Sequence, residues 1–276
     1  MPMNKAFHPF HQILLPVAFA SALVFATPIS AQEAAPNARD LAAKLSANIQ
    51  DGSALVRLKL EATPAAGGAK TTLQLQVKSR RTKAATDIIY QVLWPKERKG
   101  EAFLLHKSGD NSPTGSVFTL PDSLQPLSAS QMKEGIFGSD LTYADLLENF
   151  FDWEHQALVG EEIIDRVPCQ ILESKPGGGD RSIYTKVRSW IDTKRMVPLK
   201  VEKYLSSGQL GRQVTTTRVA KDDTDRPVPA SVLVQRPGQT SVTELEGSNS
   251  KHDVTFTDAD FTTEALRKLA PAAAAK

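Results

Sequence analysis

The sequence predicts an α+β protein that is mainly antiparallel β. Three observations carry this prediction. Ten or more short segments read as strands, the first two alternating apolar and polar residues with a period of two. Their connections are short and rich in Gly, Pro and Ser. Only a few segments show helical spacing, and the strand–helix–strand alternation of a parallel sheet is missing. Hairpins in meander order build one antiparallel sheet, curled or closed.

The elements follow in order. Ala38 to Gln50 reads as an amphipathic helix, with Leu41, Leu45 and Ile49 four residues apart. After Asp51-Gly52 the period changes to two. Val56, Leu58 and Leu60 alternate with Arg57, Lys59 and Glu61, and Leu73, Leu75 and Val77 alternate with Gln74, Gln76 and Lys78. Pro64 to Gly68 is turn material, so the two runs form a hairpin with one apolar face. Strand-like segments continue at 86–93, 101–106, 116–120, 153–159 and 169–173. After Gly177-Gly178-Gly179 they resume at 182–192, 197–204, 210–220, 230–235 and 241–246. The stretch from Asp140 to Leu147 is helical in spacing, as is Phe261 to Leu269. Residues 271–276 read as a frayed, disordered tail.

The amino-terminal segment reads as a cleavable secretory leader, residues 1–31. Lys5, His8 and His11 stand without any acid before the apolar run Ile13–Ala26, and small residues lead to cleavage after Ala31. The run is shorter than the roughly 20 residues a membrane span needs. No Cys stands at the cleavage site to be acylated, so the expectation is a soluble periplasmic protein rather than a lipoprotein. The mature chain, about 245 residues, carries 32 basic and 31 acidic residues. That balance leaves no electrostatic footprint for nucleic acid. One domain over residues 32–270 and a monomer are expected.

Catalytic and metal motifs are missing from the sequence. His106, His155 and His252 form no helical zinc pattern. Cys169 is the one cysteine and sits in a strand-like run, so it reads as a buried structural thiol. The triple glycine at 177–179 lacks the Gly-Lys-Ser/Thr of a phosphate loop and reads as a hairpin turn. The pairs Glu161-Glu162 and Asp222-Asp223 read as solvated acids at turns. No enzyme, metal or cofactor is expected. What remains is the apolar face, which either packs as an ordinary core or encloses a ligand.

Three stretches resemble the LolA-like family of outer-membrane lipoprotein-sorting proteins. The first is Ile136-Phe137-Gly138-Ser139-Asp140-Leu141-Thr142-Tyr143-Ala144-Asp145-Leu146. The second is Trp94-Pro95 through Arg98-Lys99-Gly100-Glu101-Ala102-Phe103-Leu104. The third is Trp190-Ile191-Asp192 with Pro198-Leu199-Lys200-Val201-Glu202 and Gly208-Gln209-Leu210. The closing Thr255-Phe256-Thr257 and Phe261–Leu266 fit the family's usual ending, so the resemblance covers roughly residues 40–270. It departs from the family at the polar loop Lys107–Pro113 and at Asp122–Leu127, where a basic run is usual. The resemblance implies a strongly curved, incomplete β-barrel with short helices covering its open side. It also implies an apolar cavity for lipid or lipoprotein acyl chains, delivered towards the outer membrane. An inner-membrane transporter or an outer-membrane receptor would be the partner. The alternative within the same resemblance is a lipid-sensing regulatory domain that binds an inner-membrane protein.

By alternation, Val56, Leu58, Leu60, Leu73, Leu75, Val77, Leu104 and Phe118 are the candidate cavity wall, and a slip of one residue would invert the choice. The lid is assigned to Asp140, Tyr143, Leu146 and Leu147. Ser139 or Asp140 is the expected N-cap of a helix starting near Leu141. Such a lid is either fixed by packing or a gate that moves when lipid enters.

Overall fold

The computed structural model describes residues 37–50, 52–109 and 111–269. The leader expected over residues 1–31 and the tail expected over 271–276 lie outside them. Helix α1 (Ala38–Ile49) starts at Asn37, whose side chain accepts from the Asp40 amide at 2.8 Å. It buries Leu41, Ala42 and Leu45. Two meanders follow. The first holds β1 (Gly52–Thr63), β2 (Thr71–Arg81), β3 (Ala85–Trp94), β4 (Ala102–Ser108), β5 (Thr114–Thr119) and β6 (Ser123–Pro126). Helix α2 (Tyr143–Leu147) lies in the connection to the second. That meander holds β7 (His155–Ile164), β8 (Val167–Lys175), β9 (Tyr184–Asp192), β10 (Val197–Leu205), β11 (Leu210–Lys221), β12 (Pro227–Gln235) and β13 (Val242–His252). Helix α3 (Thr263–Lys268) comes last among the described residues.

Among the described residues thirteen strands form one antiparallel sheet, ordered β6-β5-β4-β3-β2-β1-β13-β12-β11-β10-β9-β8-β7. The non-sequential pair, β1 with β13, splices the two meanders. Strands β6 and β7 are the edges and do not pair, so the sheet is open. They are also consecutive in the chain. The segment between them, residues 127–154, therefore has to travel from one edge of the sheet to the other, and it packs on one face as it does so.

Cross-strand partners share a face, so the register defines that face. It runs through Val117, Phe103, Tyr90, Val77 and Val56 on the first meander, and through Leu73, Leu60, Leu245 and Val232 across the splice. On the second meander it continues through Val234, Val214, Val201, Ser189, Leu172 and Leu158. Two apolar clusters occupy this inner face. One joins β1–β4 to Met132, Ile136, Tyr143 and Leu147 of the connecting segment. The other joins α1 and Phe150, Phe151 and Trp153 to Leu172, Val187, Ile191 and Val201. The outer face carries a cluster of Ile89, Ala102, Leu104 and Phe118 under Leu266 of α3. A further outer cluster holds Cys169, Trp190, Val197 and Leu199.

Two expectations about paired acids change. Glu161 and Glu162 stand within edge strand β7, not at a turn, and Glu162 accepts from the Trp190 indole at 2.6 Å. Asp222 does lie in the β11–β12 turn, but its carboxylate is buried rather than solvated. The triple glycine at 177–179 joins β8 to β9 as expected. Among the described residues no helix is long and apolar enough to cross a membrane.

Candidate functional site: a covered apolar face with a charged rim

Six of the eight candidate wall residues come together. Val56, Leu58, Leu60, Leu73, Leu75 and Val77 are direct cross-strand neighbours on β1 and β2, and all belong to the inner cluster. The other two do not join them. Leu104 and Phe118 belong to the outer cluster under α3, and their neighbours Phe103, Leu105 and Val117 face inward instead. The reason lies in β4, where Ala102, Phe103, Leu104 and Leu105 are all buried because the lid covers one face and α3 the other. A strand buried on both faces shows no alternation from which to read its phase.

The connecting segment carries the residues assigned to the lid and covers the apolar wall. Tyr143 and Leu147 of α2 pack on the inner cluster with Leu146 at its margin, and the Tyr143 ring meets Phe103 edge-on at 4.8 Å. Helix α2 is only five residues long, too short to be stable alone, so its fixing points matter. The N-cap is Thr142, not Ser139 or Asp140. Thr142 and Asp145 form a reciprocal capping box, with Thr142 Oγ1 accepting from the Asp145 amide at 3.2 Å and Asp145 Oδ2 accepting from the Thr142 amide at 3.0 Å. Asp140 is spent elsewhere. Its carboxylate accepts from Ser241 Oγ at 2.8 Å and Thr243 Oγ1 at 3.2 Å on the β13 side, and Arg236 lies 3.2 Å away. Its amide donates to Thr243 Oγ1 at 2.8 Å.

Two more lid acids reach the second meander. Asp145 accepts from Lys203 Nζ at 2.9 Å and from the Tyr184 hydroxyl at 3.2 Å, and it contacts Arg212. Glu148 accepts from Lys203 Nζ at 2.9 Å and from Ser182 Oγ. Lys203 and Arg212 are paired across β10 and β11, and both are buried. Burial lowers the Arg212 guanidinium to about 10, with the Arg236 charge adding to the effect. Burial pushes the Tyr184 phenol up. On the first meander, Arg81 at the end of β2 donates to the Leu146 carbonyl at 2.9 Å. The sequence marked Asp140 by its motif. It offered no signal for Lys203 or Arg212, which read as ordinary polar strand positions, or for Arg236, which read as turn material.

Two clefts lie away from the apolar wall. One of about 460 Å³ is lined by Val167, Pro168, Cys169, Gln170, Lys194 and Arg195. One of about 260 Å³ opens where Arg81, Lys83 and Lys107 meet Asn149 and Asp152. Asp222, Asp223 and His252 bring ligand-type atoms within 4.8 Å of one another. Their acceptors are already used by the protein. Asp222 accepts from the Thr224 and Arg226 amides and the Arg226 guanidinium, and Asp223 accepts from the His252 amide and ring.

A family model described as an uncharacterized protein matches residues 84–268, which is well over half of the chain. The fold matches solved structures along nearly their whole length. A LolA superfamily protein from Nitrosomonas europaea superposes with a TM-score of 0.65 at 23% identity, covering 84% of this chain and 100% of the other. The chain belongs to that model's family and has the LolA-like fold. A domain from Vibrio parahaemolyticus described as outer membrane lipoprotein-sorting gives a TM-score of 0.71 at 20% identity over 83% of this chain and 98% of that one. A DUF1329 family protein from Desulfovibrio piger gives 0.76 at 22% identity over 83% and 97%. No curated protein sequence matches the chain. At these identities the LolA-like neighbours establish the fold alone, so the chemistry rests on the site just described.

Proposed function

We propose that this LolA-like protein is a periplasmic, non-catalytic carrier that binds lipid or lipoprotein acyl chains on its inner apolar face and delivers them towards the outer membrane. One observation carries the reading. The apolar wall of β1 and β2 is covered by a chain segment whose own helix is one turn long and whose anchors are charges on the sheet rim. Such a cover separates from the sheet as a unit, exchanging Tyr143, Leu146 and Leu147 for a ligand of equal apolarity. Each CH₂ removed from water contributes about 0.8 kcal/mol, so a 16-carbon chain supplies on the order of 12 kcal/mol for that exchange. Val56, Leu58, Leu60, Leu73, Leu75 and Val77 would line the chain, with Phe103 and Leu105 taking the places first assigned to Leu104 and Phe118. Strong apolar burial with no polar attachment to the ligand's tail also permits release at a membrane, where the tail meets an equally dry medium.

The test is to express the full chain with its leader in a bacterial host and recover the protein from the periplasmic fraction. Native mass spectrometry then reads the bound mass, and the delipidated protein is titrated with a fluorescent fatty-acyl probe. Co-purified lipid and saturable uptake are expected. A protein that carries no lipid and takes up no probe would refute the carrier reading.

A further inference from the structure

The charged rim holds more donors than the lid can satisfy. Lys203 on β10 and Arg212 on β11 are direct cross-strand partners, and Arg236 follows the Gln213–Gln235 pair at the end of β12. Three cations thus stand in a row across three adjacent strands. Like charges set opposite one another on a sheet destabilise it unless an anion lies between them. The lid supplies Asp140, Asp145 and Glu148, all from one nine-residue stretch. The match in hydrogen bonds is incomplete, however. Asp145 already accepts from the Thr142 amide and hydroxyl, Tyr184 and Lys203. Arg212 Nε is left without an acceptor although Arg212 is only 5% exposed, while its Nη1 meets Asp145 and Arg236 Nε lies 3.2 Å from Asp140 as ion pairs without hydrogen-bond geometry. Buried donors without acceptors are costly and uncommon. An anion with three or more oxygens would fill them better than the carboxylates do.

The position of the row decides what kind of anion. Thr243, which holds Asp140, is the cross-strand partner of Ala62, and the next inward pair on the same two strands is Leu60–Leu245 in the apolar wall. The cations therefore border the surface proposed to hold a tail. Hydroxyls of Ser182, Tyr184, Ser241 and Thr243 donate to the same three carboxylates, Glu148, Asp145 and Asp140.

Resting on the carrier reading, we propose that Lys203, Arg212 and Arg236 bind the anionic head group of an amphiphile whose tail lies along the apolar face. The lid carboxylates occupy this site when no ligand is present. The lid is then both cover and competitor: a neutral lipid must displace it without compensation at the rim, whereas an anionic one replaces its charges.

Calorimetric titration of the mature protein with monomeric dihexanoylphosphatidic acid, dihexanoylphosphatidylcholine and inorganic phosphate tests this. The wild type should prefer the anionic lipid by about tenfold, the equivalent of one charge-assisted hydrogen bond. Glu148→Gln weakens the competitor and should tighten binding of the anionic lipid alone. Arg236→Gln, at a partly exposed side chain and so least disturbing to the fold, should abolish the preference. Its thermal midpoint checks that it folds, and its result stands whether or not Glu148→Gln folds. Equal affinity for the two lipids in the wild type would overturn the proposal while leaving the carrier reading intact, as would equal weakening of both by Arg236→Gln. Phosphate binding as tightly as the anionic lipid would overturn the assignment to an amphiphile. Failure of both lipids to bind would instead remove the carrier reading beneath it.

Discussion

Asp145→Asn tests the charged rim most directly. The substitution keeps the side chain's size and an oxygen that can still accept in the capping box, so it removes a charge with little change of shape. In the native protein that charge faces two buried cations, Lys203 and Arg212. Lys203 retains Glu148 after the change, but Arg212 loses the carboxylate it touches. Breaking a buried ion pair from one side costs about 3–5 kcal/mol, because the remaining charge stays desolvated. With Glu148 still serving Lys203, a value near the lower end, about 3 kcal/mol, is expected. Urea unfolding followed by tryptophan fluorescence should show the midpoint falling at an unchanged slope. Hydrogen exchange at residues 139–148 should speed up, since the lid loses an anchor. Lys203→Met in the same background should cost much less than it does alone, giving a coupling energy above about 1 kcal/mol. A loss below about 1 kcal/mol for Asp145→Asn, with exchange in the lid unaltered, would refute the view that these charges hold the lid.

Three further outcomes follow. Leu75→Ala and Leu104→Ala should each destabilise the protein by about 2–5 kcal/mol, as large-to-small changes in a core do. Only Leu75→Ala should alter uptake of an acyl probe, because Leu104 lies beneath α3 on the other face; altered uptake by Leu104→Ala would contradict the register. The Asp222 carboxyl is held down at about 2: burial opposes its ionisation, but hydrogen bonds from Thr224 and Arg226 and the Arg226 charge overcome that. A carboxylate with a lowered pKa contributes stability that is present above its ordinary value near 4 and is lost as pH falls through 2. The wild type should therefore lose about 2 kcal/mol across that window relative to Asp222→Asn, measured by acid-titrated unfolding. Cys169 is buried, and burial, then Asp192, pushes its thiol up. It should resist dithionitrobenzoate in the native protein and react fully in urea, and fast native labelling would count against a structural role.

The strands were legible because alternation is a local property. Leu58 and Leu60 pair with Leu75 and Leu73 on one apolar face, as the two alternating runs joined by a turn implied. Short or doubly buried strands escaped that logic. Strand β6, only Ser123–Pro126, carries too few residues to show a period, and Ala102–Leu105 is apolar throughout. The lid was visible as a motif, yet the role given to Asp140 was wrong. A carboxylate preceding a helix reads as a cap unless one knows that Ser241, Thr243 and Arg236, a hundred residues away, stand ready to receive it.

The sequence by itself determined the antiparallel hairpins, the apolar face of β1 and β2 and the helical stretch ending at Leu147 that packs on it. These follow from periodicity and from residue types that act on near neighbours. Tertiary structure alone decided the β1–β13 splice, the crossing of the lid from edge to edge, the inward turn of Phe103 rather than Leu104, and the row of Lys203, Arg212 and Arg236. Each of these depends on which distant backbones hydrogen-bond, and a period-two pattern is indifferent to the identity of its partner. Charges far apart in sequence become a site only once the register sets them side by side.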